Sequence, residues 1–154
     1  MKRAKKMLFW IVAALLAAFV VFALVVRFAP DDPRAWHVDP KGVAERGAQN
    51  DFIVNPSGNE ADIASPVYDM SPAALAEAFR AVAMGSSRVS LLAESGDYST
   101  YIQRTALMAY PDYISVRAEA VDGGAALYVY SRSRYGLRDF DVNKKRILSW
   151  LKKL

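Results

Sequence analysis

The side chains best suited to hold a ligand in this 154-residue sequence are its arginines. Arg104, Arg117, Arg132 and Arg134 fall in stretches of strand-like composition, and the two-residue alternation of a strand puts Arg132 and Arg134 on one face. Arg104 and Arg117 belong to neighbouring expected strands, where cross-strand adjacency is possible. Guanidinium forks match carboxylate and phosphate oxygens, and Ser131 or Ser133 could add hydroxyl donors. Together with Asp112, Asp139, Asn143 and Arg146, these residues define a candidate anionic-ligand site at the sheet end near Gly136. A structural account competes for the same residues. In it, Asp112, Asp139 and Glu119 neutralise the arginines and Asn143 caps the last helix. Tyr98, Tyr101, Tyr128 and Tyr130 could line a groove, although at strand spacing tyrosines more often serve as packing.

Other chemistries lack their residues. A Ser-His-Asp mechanism would have to use His37, the single histidine, which lies beside Trp36 in a proline-punctuated stretch and reads as a surface or membrane-interface residue. There are no cysteines, so thiol nucleophiles, disulfides and thiolate metal sites are excluded. Calcium-loop spacing is absent, and Gly123-Gly124 lacks the strand-to-helix context of a phosphate loop. The expectation is therefore no catalytic residue, no metal and no cofactor.

The elements that position the arginines follow a membrane anchor. Met7 through Val26 is a run of uncharged residues without Gly or Pro, about 30 Å long as a helix and so matched to the bilayer hydrocarbon. Lys2, Arg3, Lys5 and Lys6 precede it, so the N-terminus is expected in the cytoplasm and the remaining chain on the exported side. A cleaved signal peptide is the alternative, but the run is long for one and leads into Val25-Val26-Arg27-Phe28 without an Ala-x-Ala site. The pI of about 9.4 owes much to this tip. Beyond it, 15 basic side chains face 16 acidic ones, which argues against a nucleic-acid surface.

Residues 30–40, with Pro30, Pro33 and Pro40, read as a tether. Residues 41–70 read as mostly irregular chain pinned by Phe52-Ile53-Val54, with a turn at Asn55-Pro56-Ser57-Gly58. Ser71-Pro72 opens an amphipathic helix carrying Leu75, Phe79, Val82 and Ala83 and closing at Gly85. Strand-like stretches follow at 88–94, 99–108, 113–121 and 126–134, with a hairpin turn at Asp122-Gly123-Gly124. A last helix begins near Asp141, read as its N-cap, and aligns Ile147, Trp150, Leu151 and Leu154.

Asn50-Asp51-Phe52-Ile53-Val54, Ser65-Pro66-Val67-Tyr68 and Pro111-Asp112-Tyr113 form one set of local motifs. Tyr130-Ser131-Arg132-Ser133-Arg134-Tyr135-Gly136, then Asp139 and Asn143-Lys144-Lys145-Arg146, form a longer one. Over roughly residues 36–154 this pattern resembles the bacterial domain of unknown function 1499 family, with Asp141 standing where the common pattern has a glycine. The resemblance implies an α+β domain, often envelope-associated, with no established reaction.

The sequence thus predicts an α+β protein: an N-terminal transmembrane helix, then an antiparallel sheet of three to five strands with two flanking helices. Its division is expected as 1–29 basic tip and anchor, 30–40 tether, and 41–154 domain. The functional expectation is a membrane-anchored accessory or binding module of the bacterial envelope, in the inner membrane with its domain on the periplasmic side. Partners would be the bilayer through residues 7–26, and an anionic small molecule, lipid headgroup or envelope protein. A structural or protein-interaction module and, further off, a cofactor-free enzyme are the alternatives.

Overall fold

A computed structural model describes residues 2–43, 50–135 and 141–154. Helix α1 (Lys2–Phe28) is long and apolar enough to cross a membrane, and most of its surface is left exposed by the rest of the chain. Near its end Val26 is the exception, fully covered by the domain, while Val25 and Phe28 stay exposed.

The domain is built on a six-stranded sheet of β1 (Asp51–Asn55), β2 (Ile63–Ala64), β3 (Val89–Ser95), β4 (Tyr98–Arg104), β5 (Pro111–Val121) and β6 (Gly124–Ser133). The spatial order is β2-β1-β6-β5-β4-β3. Strands β3 to β6 form the expected antiparallel meander. The sheet exceeds the expected three to five strands because Phe52-Ile53-Val54 does more than pin a loop. It forms β1, pairing antiparallel with β6 and parallel with β2. A run this short carries no periodicity to separate strand from irregular chain, and only the free edge of β6 decides it.

Helix α3 (Pro72–Met84) begins as its sequence dictates: Ser71 accepts a hydrogen bond from the Ala74 backbone N–H at 3.2 Å, and proline occupies the first turn. Helix α4 (Val142–Leu151) begins differently. Asp141 sits in the left-handed region at φ 62 and makes no side-chain cap bond. Glycine suits that conformation best, and aspartate is one of the few other residues that tolerates it.

Both helices cover the same face of the sheet. Leu75, Phe79 and Ala83 of α3 and Ile147 and Trp150 of α4 close over Tyr101, Ile114, Val116, Leu127 and Val129. Phe79 meets Trp150 edge-on at 5.6 Å. The β5–β6 hairpin turns at Asp122-Gly123, and Gly124 must be glycine, since a Cβ there would lie 2.0 Å from the Tyr68 carbonyl oxygen. That approach lets Tyr68 and Ala125 exchange backbone hydrogen bonds of 2.8 and 2.9 Å.

The opposite face is covered by the stretch read as a tether. Residues 30–43 contain a short helix α2 (Pro33–Trp36) and a 3-10 turn (Pro40–Gly42), each opened by an aspartate that accepts a backbone N–H. This segment lies along the sheet as a strap. The prolines forbid one continuous helix, as the sequence implied, but they leave short capped turns that present Asp31, Trp36, His37 and Asp39 to the strands.

Candidate functional site

Strand register sorts the candidate residues onto two opposite faces. Tyr113 pairs with Arg132, Ser115 with Tyr130, and Arg117 with both Tyr128 and Tyr98, so these side chains look toward the strap. Asp112 pairs with Ser133 and Gln103, and Ile114 with Ser131, so these look toward the helices. Ser131 and Ser133 therefore cannot serve Arg132 and Arg134, because alternation carries them through the sheet. Arg104 and Arg117 also fail to meet. Arg104 pairs with Pro111 and Arg117 with Tyr98, at opposite ends of β4.

On the strap face, Arg132 is 4% exposed. Its guanidinium donates to Ser115 Oγ and the Tyr130 carbonyl, both at 3.2 Å, and to the Trp36 carbonyl. Rings of Tyr130, Trp36 and Tyr113 surround it, with centroids 4.5, 5.9 and 6.0 Å from Cζ. Trp36 in turn stacks on Tyr113 at 4.1 Å with the planes 10° apart. Among the described residues no carboxylate pairs with Arg132, so π faces, a hydroxyl and carbonyls carry the compensation. Burial lowers its pKa to about 10, which still leaves the group charged at neutral pH.

Arg104 and Arg134 converge on Asp31. Arg104 forms a short ion pair with it, and Arg134 lies 3.9 Å away while donating to the Pro30 carbonyl at 3.0 Å. The Tyr113 hydroxyl donates to Asp31 at 2.6 Å, and burial followed by that hydrogen bond raises the phenol's pKa. At the far end Arg117 pairs with Asp39 at 2.6 Å and Asp97 at 3.1 Å. Arg117 Nε also lies 3.0 Å from Glu119, but off the hydrogen-bond axis, so that contact is electrostatic only. The four strand arginines thus hold the strap down. The aspartates that do this, Asp31 and Asp39, come from the presumed tether and not from Asp112.

His37 is also part of this face. Its ring stacks on Tyr98 at 4.3 Å, and its nitrogens contact Thr100 Oγ1 at 2.9 Å and Ser95 Oγ at 2.8 Å. Thr100 continues to Ser115 at 2.9 Å, and Ser115 to Arg132, so a hydrogen-bonded line crosses three strands. Burial first, then the Arg132 charge, hold the imidazole below its ordinary pKa. The sequence marked His37 only as a surface or interface residue. Its pairing with Trp36 in a proline-rich stretch was the available signal that the stretch packs on something.

Beneath the helices lies the second network. Arg146 and Asp112 form a short buried ion pair, with side chains 5% and 6% exposed. The same guanidinium donates to Asn143 Oδ1 at 2.8 Å, Ser131 Oγ at 3.3 Å and Gln103 Oε1. Asn143 donates to the Asn50 carbonyl and to Ser133 Oγ, each at 3.0 Å, and accepts from Ser131 at 2.6 Å. Asn143 is therefore an interior node tying α4 to β1 and β6, and not the helix cap. The spacing Asn143 to Arg146 puts both on one helix face. Asp139 and Gly136 lie outside the described residues.

At the edge of both networks a cleft opens between the end of α3 and α4. Its larger part, about 560 Å³, is lined by Ser86, Ser87, Gln103, Lys145, Arg146 and Lys153 among others. A smaller part of about 240 Å³ shares Gln103, Val142 and Arg146 and adds Arg88 and Arg104. The described lining includes five basic residues and no acidic one. Among the described residues no group of three His, Asp or Glu side chains is placed to hold a metal ion.

Comparison with curated proteins and with solved structures gives no match. The family model described as "Protein of unknown function (DUF1499)" matches residues 30–154, strap included. The chain belongs to the DUF1499 family.

Proposed function

We propose that this protein is a membrane-anchored accessory module of the bacterial envelope that presents a basic cleft to an anionic ligand, with its domain on the periplasmic side of the inner membrane. The observation that carries this reading is the cleft between α3 and α4, whose described lining holds Arg88, Lys145 and Lys153 beside the ion-paired Arg104 and Arg146, and no carboxylate. Guanidinium and ammonium donors with Ser86, Ser87 and Gln103 beside them suit a phosphate or carboxylate group. The strand arginines 132 and 134, first candidates from sequence, contribute indirectly: they lock the strap and so hold the domain close to the end of α1.

The test is native mass spectrometry of the full chain extracted from its own membrane, beside a Ser87→Glu/Lys153→Glu variant. An anionic molecule that accompanies the wild type and is lost from the equally folded variant supports the reading. Its retention by the variant, or an empty wild type, removes it.

A second reading, a cofactor-free enzyme, is favoured by one contact. Ser95 Oγ lies 2.8 Å from His37 Nε2, and the other ring nitrogen is held by Thr100. Labelling by a fluorophosphonate that disappears in Ser95→Ala would support it. Absence of labelling would leave the contact as part of the strap.

A further inference from the structure

The loop joining β4 to β5 carries an apolar tip whose surroundings identify what covers it. Ala106, Leu107 and Met108 form that tip, and Leu107 is 86% exposed, the most exposed large apolar side chain in the described domain. The loop is a closed unit. Thr105 N–H donates to the Tyr110 carbonyl at 3.0 Å, Tyr110 N–H donates to Thr105 Oγ1 at 3.0 Å, and Arg104 donates to the Ala109 carbonyl at 2.9 Å. Its base is therefore satisfied internally, as backbone next to hydrocarbon must be.

The position of the loop is set by α1. Tyr110 meets Phe22 of that helix with ring centroids 6.5 Å apart, and Tyr110 also meets Tyr135 at 5.8 Å. Phe22 stands six residues before the helix ends at Phe28, a rise of about 9 Å. If α1 spans a bilayer, the side chains beside Phe22 lie at the depth of the acyl-chain boundary. Paired tyrosines flanked by arginine are the residues that settle there.

We infer that the β4–β5 loop is a second membrane contact, with Leu107 and Met108 inserted among lipid acyl chains beside α1 and Tyr110 and Tyr135 at the acyl-chain boundary. This inference rests on the anchor reading of α1 and deepens it. Two contacts, the helix and the loop, together fix the orientation of the domain on the surface. The smaller part of the basic cleft, lined by Arg88, Arg104 and Ala106 at the base of this loop, then faces the headgroup layer.

Absence of cysteine makes the test direct, because any introduced thiol is unique. The full chain is reconstituted into nanodiscs with an environment-sensitive fluorophore at Leu107→Cys, at Ala17→Cys within α1, or at Asp122→Cys on the far hairpin. Quenching by acyl-chain nitroxide lipids and by aqueous iodide is then compared. The expected result is that position 107 behaves like position 17, quenched from the lipid and shielded from iodide, while position 122 does the reverse. Position 107 behaving like position 122 while position 17 is quenched from the lipid overturns the loop contact alone. Shielding of position 107 from both quenchers overturns it too, because protein and not lipid then covers the loop. Position 17 itself failing to respond to lipid quenchers overturns the anchor reading and the loop contact together. Leu107 makes no core contact, so a parallel Leu107→Asp variant should keep its thermal stability while losing its orientation on the disc.

Discussion

Removing one member of the Asp112–Arg146 pair should cost far more than removing both. With side chains 6% and 5% exposed, neither group can be rehydrated in place. Asp112→Leu leaves the guanidinium with only neutral acceptors, Asn143 Oδ1, Ser131 Oγ and Gln103 Oε1. An uncompensated buried charge of this kind costs about 3–5 kcal/mol. Against a total stability of roughly 5–15 kcal/mol, the loss lowers the melting temperature by on the order of 10–20 °C. Arg146→Met should cost a similar amount by stranding the carboxylate. The double variant Asp112→Leu/Arg146→Met removes both charges and fills the space. It should lie within about 2 kcal/mol of wild type, because Ser131 still serves Asn143 Oδ1. Urea unfolding of the full chain in detergent, followed by tryptophan fluorescence, measures all four corners of the cycle. Additive single effects, or single losses under about 1 kcal/mol, would refute the view that this signature pair is a closed, desolvated unit.

Two further outcomes concern the strap. Trp36→Ala removes the ring stacked on Tyr113 and one face of the Arg132 cage, at a cost of roughly 2–4 kcal/mol. Hydrogen exchange in residues 30–43 should rise well before exchange in α3 and α4, and uniform protection would contradict the assignment. His37 is held below its ordinary value of 6.5 in the fold, so the unfolded chain takes up the proton first as pH falls. Its contribution is complete above about pH 6.5 and declines below it, and His37→Gln should flatten that decline in pH-dependent thermal unfolding.

The Arg-Ser-Arg run ending β6 alternates across the sheet: Arg132 and Arg134 reach the strap, and Ser133 between them reaches Asn143. One short motif therefore fastens both layers to the central strands. That explains why a search for a single arginine-lined site finds residues of the right chemistry that do not come together.

Local physics was enough for much of this protein. The uncharged run of α1, the Ser71-Pro72 start of α3, the β5–β6 hairpin and the apolar face of α4 were all legible, since each rests on neighbours within a turn or two. Alternation also placed Arg132 and Arg134 together correctly. Register was not legible, and register decides that Arg104 and Arg117 stand at opposite ends of β4 and that Asp112 faces Arg146. The strap was hidden for the same reason. Asp31 meets Arg104 across 73 positions and the Trp36 carbonyl meets Arg132 across 96. Partners that far apart leave no periodic trace in the chain, so only the folded sheet, by offering an open face next to the end of α1, turns a proline-broken stretch into a packed layer.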